Sequence, residues 1–176
     1  VTISAGGVDT PINRSPYPFT ATPGVAAKAK FTASGTGTTK STVGVSAPVI
    51  VQANDAHNNV VKSSSEPVSY ALTKNGDSTA TVTGNCNNNS DGTYSCNYIS
   101  KRSGSNTLTL SIGSSSPATL TFTVTVGAGA TDPSKSTLSG TGLTSATAGV
   151  SAQVVITTFE SQGNKRTLGG DKFIVS

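Results

Sequence analysis

The sequence lacks Met and Trp and has a single His, and only 11% of its residues are charged and 5% aromatic. Catalytic triads and most zinc sites use a histidine together with partner groups, so one histidine argues against both. His57 stands next to Asp55 in a predicted turn, and we expect an exposed turn residue there. Glu66 and Asp77 are carboxylates without an identifiable partner. No phosphate-binding glycine motif follows a strand, so we expect neither enzyme activity nor a cofactor.

Long hydrophobic runs and clusters of one charge are also absent. No run of eighteen apolar residues occurs, so we expect no membrane span in this chain. The formal net charge is +4, and the basic residues stand singly or in pairs such as Lys101-Arg102 and Lys165-Arg166. Nucleic-acid binding needs a clustered basic face with aromatic residues for stacking. We therefore expect no nucleic-acid partner and interpret these charges as a solvated surface.

Ser and Thr are what the chain has in excess, at about three residues in ten, well above average usage. Thr alternates with apolar residues, as in the run TLTFTVTV from Thr119 to Val126. Alternation with a period of two in β-prone residues predicts strands. No window has a sustained apolar period of 3.6. The sequence therefore predicts an all-β protein with almost no helix.

An internal repeat organises the chain. Ser34–Gly37 recurs as Ser139–Gly142, and Gly44–Ala47 recurs as Gly149–Ala152. Asn59 recurs as Asn164, and all three matches have the same offset of 105 positions. A constant offset over this length indicates duplicated structural units.

A second similarity, with a different offset, relates Val1–Ser4 to Leu108–Ser111. The two matches predict three units: the C-terminal end of a first repeat (1–24), a complete repeat (25–129) and the N-terminal part of a third (130–176). The complete unit has seven predicted strands, the number in an immunoglobulin-like β-sandwich. They are placed near 28–33, 47–54, 67–72, 78–85, 93–99, 106–112 and 119–126. Gly127–Pro133 is predicted to be a short linker that limits the relative freedom of neighbouring units.

The stretch CNNNSDGTYSCNY from Cys86 to Tyr98 contains both cysteines of the chain. Its NNNSDG core predicts a hairpin loop, and Cys86 and Cys96 are equidistant from Asp91. A turn there would place the sulfurs opposite each other, which favours a cross-strand disulfide over two reduced thiols. Such a disulfide indicates an oxidising compartment.

Two N-glycosylation sequons are present. Asn88-Asn89-Ser90 lies in the hairpin loop and is expected to be exposed. Asn13-Arg14-Ser15 is the weaker one, because Pro16 follows it directly. Sequon and disulfide together predict an extracellular or cell-surface location.

The turn Asn54-Asp55 with Asn58-Asn59 has a spacing similar to that of calcium ligands in linkers between domains. Calcium takes six to eight oxygen ligands, usually including several carboxylates. Only one carboxylate is present in this turn, so we expect no metal site.

These features together resemble filamin-type immunoglobulin-like repeats. Asp91–Tyr98 resembles the family's D-G-T-Y-x-x-x-Y hairpin, and Gly104 stands where its following glycine would be. Other matching parts are the S-G-T-G and G-V-S-A stretches, Glu160–Val175, which resembles a D-x-x-G-N turn before G-G-D-x-F, and the segment from Gly6-Gly7 to Ser15-Pro16-Tyr17. The resemblance implies tandem β-sandwich repeats, one complete and two partial, with Tyr94 and Tyr98 on one face and packed inward.

The sequence departs from cytoplasmic filamins, which do not depend on a cross-strand disulfide or on Ser/Thr-rich surfaces. It resembles extracellular filamin-like repeat proteins of protists, algae and plants. We therefore expect a non-enzymatic structural segment of a glycosylated tandem-repeat protein that forms or spaces a filament or surface coat. Its expected partners are proteins, including copies of itself.

Two other functions stay open. The chain is alternatively an adhesion or recognition ectodomain that uses an exposed sheet edge, which the run Ser114–Pro117 and the strand after it would flank. A further alternative is a bacterial invasin-like repeat. Because Val1 and Ser176 adjoin strand-like runs, we expect the partial units to be excerpts of a longer protein rather than units completed by a neighbouring chain.

Overall fold

The structure is a computed structural model that describes residues 2–5, 8–11 and 20–174. Strands dominate it, and the helical turns it contains are three short 3-10 turns at Lys28–Lys30, Thr36–Thr38 and Thr141–Leu143. The all-β prediction is confirmed. The strands are β1 (Thr2–Ala5), β2 (Val8–Pro11), β3 (Thr32–Ser34), β4 (Lys40–Thr42), β5 (Ser46–Gln52), β6 (Val68–Lys74), β7 (Asp77–Asn85), β8 (Asn87–Asn88), β9 (Thr93–Ile99), β10 (Gly104–Ile112), β11 (Ala118–Gly127), β12 (Thr137–Ser139) and β13 (Val155–Thr157).

Two sheets pack face to face to form a sandwich between residues 26 and 127. One sheet has the strand order β4-β11-β10-β6-β7 and the other has the order β3-β5-β9-β8. Neighbouring strands are antiparallel except β11 and β4, which run parallel. This two-sheet architecture is that of an immunoglobulin-like sandwich, as the sequence predicted.

The core lies between the sheets and follows the alternation of the sequence. Along β10, Leu108, Leu110 and Ile112 are fully buried, whereas the residues between them face outward. Ala47, Val49 and Val51 of β5 meet them from the opposite sheet. Fully burying a Val or Leu side chain contributes about 1.5–3 kcal/mol, so these paired inner faces are the main source of stability.

The chain changes sheet at Cys86. β7 pairs with β6 in the five-stranded sheet, and only two residues later β8 pairs with β9 in the other sheet. Between them the N–H of Cys86 donates to the carbonyl of Val68. This crossover sets the path of the hairpin that follows.

The strand predicted near 28–33 is wrong over its first part. Lys28–Lys30 form a 3-10 turn, and β3 begins only at Thr32. The turn brings Phe31 into the core, where it is 2% exposed, and the side-chain amide of Asn54 donates to the carbonyl of Lys30 at 3.0 Å. Tertiary packing of one aromatic residue therefore overrides the local pattern.

Residues 131–174, termed here the C-terminal segment, repeat the conformation of the first part of the sandwich. At the offset of 105, β12 corresponds to β3 and the turn at Thr141–Leu143 to that at Thr36–Thr38. Gly35 and Gly140 have φ of 108° and 114°, and Gly44 and Gly149 both have φ of 77°. The sequence repeat is thus a repeat of backbone conformation.

At the N-terminal side, β1 and β2 form an antiparallel hairpin in which Ala5 pairs with Val8. The predicted family features at Gly6-Gly7 and Ser15-Pro16-Tyr17 lie outside the described residues.

Candidate functional site

The hairpin from Cys86 to Tyr98 is built around one acidic turn. Asp91 accepts hydrogen bonds at its Oδ1 from the Thr93 hydroxyl at 2.6 Å and from the Thr93 N–H at 2.8 Å. The Thr93 hydroxyl, followed by its N–H, lowers the pKa of Asp91. Gly92 has φ of 90° and its carbonyl accepts a bond from the N–H of Ala53 at 2.8 Å. The DGT sequence therefore both makes the turn and fixes it to the strand end beside it.

Cys86 and Cys96 form a disulfide. Cys96 is buried in β9, and Cys86 is half-buried at the crossover between β7 and β8. The bond therefore ties the point at which the chain changes sheet to a central strand of the second sheet. Its position indicates a structural role.

Asn88, the predicted glycosylation residue, is exposed in β8. Its Nδ2 donates to the carbonyl of Ser64 at 2.9 Å, and its Oδ1 accepts from the N–H of Ser90 at 2.9 Å. One Nδ2 proton is used in this way, which leaves the other bond of that nitrogen for a glycan. Asn13, the weaker sequon residue, lies outside the described residues.

Tyr94 and Tyr98 are each 1% exposed, so the prediction that they pack inward is confirmed. The Tyr94 hydroxyl lies 3.1 Å from the carbonyl oxygen of Ser64 and 3.0 Å from its Oγ. The Tyr98 hydroxyl donates to the carbonyl of Gly37. Burial raises the pKa of Tyr98. Both phenols act as buried anchors between loops and strands.

The Asp55 carboxylate lies at the centre of the turn from Asn54 to Asn59, whose spacing resembles that of calcium ligands. Its Oδ1 accepts from the N–H groups of His57 and Asn59, both at 2.9 Å. Its Oδ2 accepts from the Asn59 amide at 3.0 Å and from the N–H of Gly24 at 2.9 Å. The Asn59 side chain, then the Gly24 N–H, holds the pKa of Asp55 far below its ordinary value. These four donors occupy the carboxylate, and His57 contributes only its backbone and keeps an exposed side chain.

Glu160 is at the equivalent position of the C-terminal segment and is 1% exposed. Its carboxylate accepts from the N–H of Gln162 at 2.9 Å, from the N–H of Asn164 at 2.7 Å and from the Asn164 amide at 2.5 Å. Asn164 also contacts the loop between β9 and β10 of the sandwich. The sequence repeat pairs Asn59 with Asn164, but no role for either could be derived from it. An acidic residue four positions before Asn at both sites was the available signal.

One edge of the sandwich is formed by a long strand. β7 is the outer strand of the five-stranded sheet and has nine residues, and in the part of the chain that the structure describes it pairs with β6 alone. From the sequence, the run Ser114–Pro117 and the strand after it were expected only to flank such an edge, which the sequence did not locate. That run connects β10 to β11, and β11 is itself covered at its far end by β4.

An apolar face is exposed in the C-terminal segment. Val154 is 47% exposed, whereas Val49, at the equivalent position in the sandwich, is fully buried. Leu138, Leu143 and Ile156 lie beside it around a cavity of about 890 Å³. In the sandwich the five-stranded sheet covers the corresponding face.

Across residues 2–5, 8–11 and 20–174, no three His, Cys, Asp or Glu side chains lie together in a way that would hold a metal ion. Over the same part of the chain, no helix has the length and apolar character needed to cross a bilayer.

The sequence model of the filamin/ABP280 repeat family matches residues 25–118, more than half of the chain. The chain belongs to the filamin repeat family. The match begins with the two-sheet sandwich of this filamin-type chain and ends at Ala118, the first residue of β11. No curated protein matches it in sequence.

Among solved structures, the filamin-type chain is similar in fold to FdeC, an adhesin of Escherichia coli, with 23% identity and a TM-score of 0.59 over 82% of this chain and 45% of FdeC. Invasin, a bacterial integrin-binding protein, gives 18% identity and a TM-score of 0.55 over 82% of this chain and 29% of invasin. InvD of Yersinia pseudotuberculosis gives 16% and 0.51 over 93% of this chain and 50% of InvD. The chain thus spans half or less of the length of these structures, and the likeness is one of fold.

Proposed function

We propose that this chain is a non-enzymatic structural segment of an extracellular, glycosylated tandem-repeat protein, in which filamin-type sandwiches follow one another and form or space a filament or surface coat. The observation that carries the proposal is the recurrence, 105 positions later, of the same turns with the same positive-φ residues. Stacked units of this kind act as stiff elements whose linkers set the angle from one to the next.

The unit boundaries in this proposal are 1–24, 25–129 and 130–176. The exposed Val154 and the cavity beside it support the last boundary, because an apolar face of this size needs a covering sheet. Its proposed cover is the remainder of a third unit, by analogy with the strands that cover Val49 in the sandwich.

The Cys86–Cys96 disulfide supports an extracellular or cell-surface location, because disulfides persist in oxidising compartments. Glycosylation at Asn88, with Asn13 as a second site, is the modification this location implies. Intact mass before and after reduction and deglycosylation tests both. A gain of two hydrogens on reduction and a loss of glycan mass are expected, and an unchanged mass after deglycosylation contradicts the glycoprotein.

Electron images of the full-length protein test the repeat architecture. We expect a string of beads with a spacing of about one small domain. A single compact particle with the mass of this chain contradicts the proposal.

Adhesion through the edge of β7 is the second candidate. The strand Asp77–Asn85 contains neither Pro nor Lys, the residues that commonly blunt an open edge. An edge of this type can accept a strand from a protein partner. The similarity in fold to FdeC and invasin supports a role of this class.

A pair of charge variants separates adhesion from passive spacing. Thr81→Lys places a charge on the exposed edge of β7, and Thr109→Lys places the same charge on the central strand β10. If the edge binds, beads coated with the full protein adhere to cells or to one another, and only Thr81→Lys reduces adhesion. Equal adhesion by both variants contradicts a role for this edge.

A bacterial invasin-like repeat is the third candidate, and the fold shared with invasin and InvD supports it. It differs from the first proposal in the glycan. Glycan mass at Asn88 on the protein from its natural source argues against it, and an unmodified Asn88 argues for it.

A further inference from the structure

We propose that the contact between Asn164 and the loop Lys101–Ser103 is a joint that fixes each unit on the one before it, and that Asn59 presents the same group to a preceding unit of the same kind. This rests on the proposed tandem-repeat function and adds to it the surface through which consecutive units meet.

The joint consists of two hydrogen bonds from one side chain. Asn164 Nδ2 donates to the carbonyl of Lys101 at 2.9 Å, and Asn164 Oδ1 accepts from the N–H of Ser103 at 3.3 Å. Both partners are backbone groups. The joint therefore depends on the backbone conformation of the loop between β9 and β10 and not on the side chains of that loop.

Asn164 is held in place from its own side. Its second Nδ2 proton and its backbone N–H both bond to Glu160 Oε1, at 2.5 and 2.7 Å. Glu160 is buried, and Gly129 of the linker lies against it, since a Cβ there would stand 3.7 Å from Glu160 Oε2. Thr131 pairs with Glu160 in a β-bridge. Linker, buried carboxylate and Asn164 are thus one connected group at the unit boundary.

The loop is fixed from the sandwich side. Gly104, directly after Ser103, has φ of 98°, a conformation that side-chain-bearing residues rarely adopt. The carbonyl of Ser100, just before Lys101, accepts from the N–H of Gly44 at 3.0 Å. The loop is therefore held in a conformation in which the carbonyl of Lys101 and the N–H of Ser103 both bond to the side-chain amide of Asn164.

Asn59 repeats this arrangement at the opposite end of the sandwich. Its backbone N–H and its Nδ2 bond to Asp55, as those of Asn164 bond to Glu160. Asn59 is exposed, whereas Asn164 is half-buried by the loop that covers it. Within the described residues no donor reaches Asn59 Oδ1. The surface is thus preformed, and the occupant it fits is the loop before the β10-equivalent strand of a preceding unit.

Variants of the 176-residue chain test the joint itself. Asn164→Ala removes both bonds to the loop. Asn59→Ala is the matched control because, within the described residues, the Asn59 side chain bonds only to Asp55 of its own turn. We expect amide exchange at Ser103 to accelerate roughly two- to tenfold in Asn164→Ala, the effect of one lost hydrogen bond, and the C-terminal segment to tumble more independently in NMR relaxation. Asn59→Ala leaves both unchanged. Unchanged exchange and tumbling in Asn164→Ala overturn the joint.

A second variant, in the sandwich loop, tests the joint without altering the Glu160 turn, which Asn164→Ala could disrupt. Ser103→Pro removes the N–H donor while leaving Glu160 and Asn164 intact. It should release tumbling in the same way, with the amide of Asn164 still protected. If it leaves tumbling as in the unmodified chain, the joint is overturned even where Asn164→Ala fails to fold.

The full-length protein tests the Asn59 surface. Electron images should give a wider distribution of the bend angle at the boundary before residue 25 in Asn59→Ala, and at the boundary after residue 129 in Asn164→Ala. If Asn59→Ala leaves the distribution of the bend angle before residue 25 unchanged, the proposed role of the Asn59 surface is overturned, whereas the repeat architecture is not. A particle without beads instead contradicts the proposed function.

Discussion

The phenol of Tyr98 donates a hydrogen bond of 2.5 Å to the carbonyl of Gly37, a residue 61 positions earlier in the chain. A Cβ at Gly37 would stand 2.7 Å from Val49 Cγ2 and 3.2 Å from Tyr98 Cε1, so only glycine leaves room for this approach. The bond joins the S-G-T-G stretch that opens the unit to the second tyrosine of the D-G-T-Y hairpin. The two motifs occur together because each completes the other.

Tyr98→Phe is predicted to destabilise the sandwich by about 1–3 kcal/mol, since it leaves a buried carbonyl without its donor. Tyr70→Phe is the matched control. Tyr70 is half-buried and donates to the carbonyl of Asn97 at an exposed site, where water replaces the lost bond. Urea unfolding measures both. Equal losses of unfolding free energy in the two variants would contradict a larger contribution from the Tyr98 hydrogen bond.

The same phenol predicts a loss of stability at alkaline pH. Burial raises the pKa of Tyr98 in the folded protein, so folding favours the protonated form. The contribution is fully present below the pKa of an unfolded tyrosine, about 10, and decreases as the pH rises through the folded value. Tyr98→Phe should lack this decrease. Urea midpoints between pH 8 and 11 that run parallel in the two proteins would contradict it.

Opening the Cys86–Cys96 disulfide is predicted to destabilise the sandwich by about 2.5–3 kcal/mol, the chain-entropy value for a closed loop of this length. The reduced wild-type protein should show this loss, and the double variant Cys86→Ala/Cys96→Ala should lose slightly more, because alanine lacks the sulfur of the buried Cys96. Denaturant unfolding with and without reductant measures this. A reductant that leaves the wild-type midpoint unchanged contradicts the prediction.

Asp55 is predicted to make stability fall in acid. The Asn59 side chain and the Gly24 N–H lower its pKa in the folded state, so its contribution is present above the unfolded value of about 3.9 and is lost as the pH falls below it. Asp55→Asn should therefore be less stable than wild type at pH 7, with a gap that narrows by pH 3. Glu66→Gln, which removes a charge from a partly exposed ion pair with Lys28, is the control and should change little. Urea midpoints at both pH values measure the gaps, and an Asp55→Asn gap that stays constant with pH excludes this role.

The sequence predicted the fold well where alternation is strong and long. β5, β9, β10 and β11 lie within two residues of the predicted ranges because their inner faces are continuous apolar rows. The 3-10 turn at Lys28–Lys30 was not predicted, because it is the burial of Phe31 that determines the conformation there. β4 and β8 escaped because strands of two or three residues carry no periodic signal.

The site was predictable only in part. The disulfide follows from the symmetry of two cysteines about one turn. The role of Asn164 does not, because its partners are the backbone groups of Lys101 and Ser103, and backbone groups leave no mark on a sequence. The repeat located the residue without indicating what it contacts.

Gly92→Ala is predicted to be much more damaging than Gly76→Ala, although both glycines have positive φ, of 90° and 82°. A Cβ at Gly76 would meet nothing within 4 Å, so that variant should lose about 1–2 kcal/mol, the cost of the left-handed conformation alone. A Cβ at Gly92 would stand 2.2 Å from the carbonyl oxygen of Val61 and 2.9 Å from Lys62 Cα.

These contacts are with backbone, which cannot rotate away as a side chain would. Strain and overlap together give an expected loss of roughly 2–5 kcal/mol for Gly92→Ala. The shift has a second consequence, because the Gly92 carbonyl also accepts from the Gln52 amide at 2.9 Å, a contact that moves with the turn. Thermal unfolding of the two variants side by side measures the difference. If they melt together, positive φ alone explains why glycine stands at both positions, and the close approach of Val61 to the hairpin has no energetic weight.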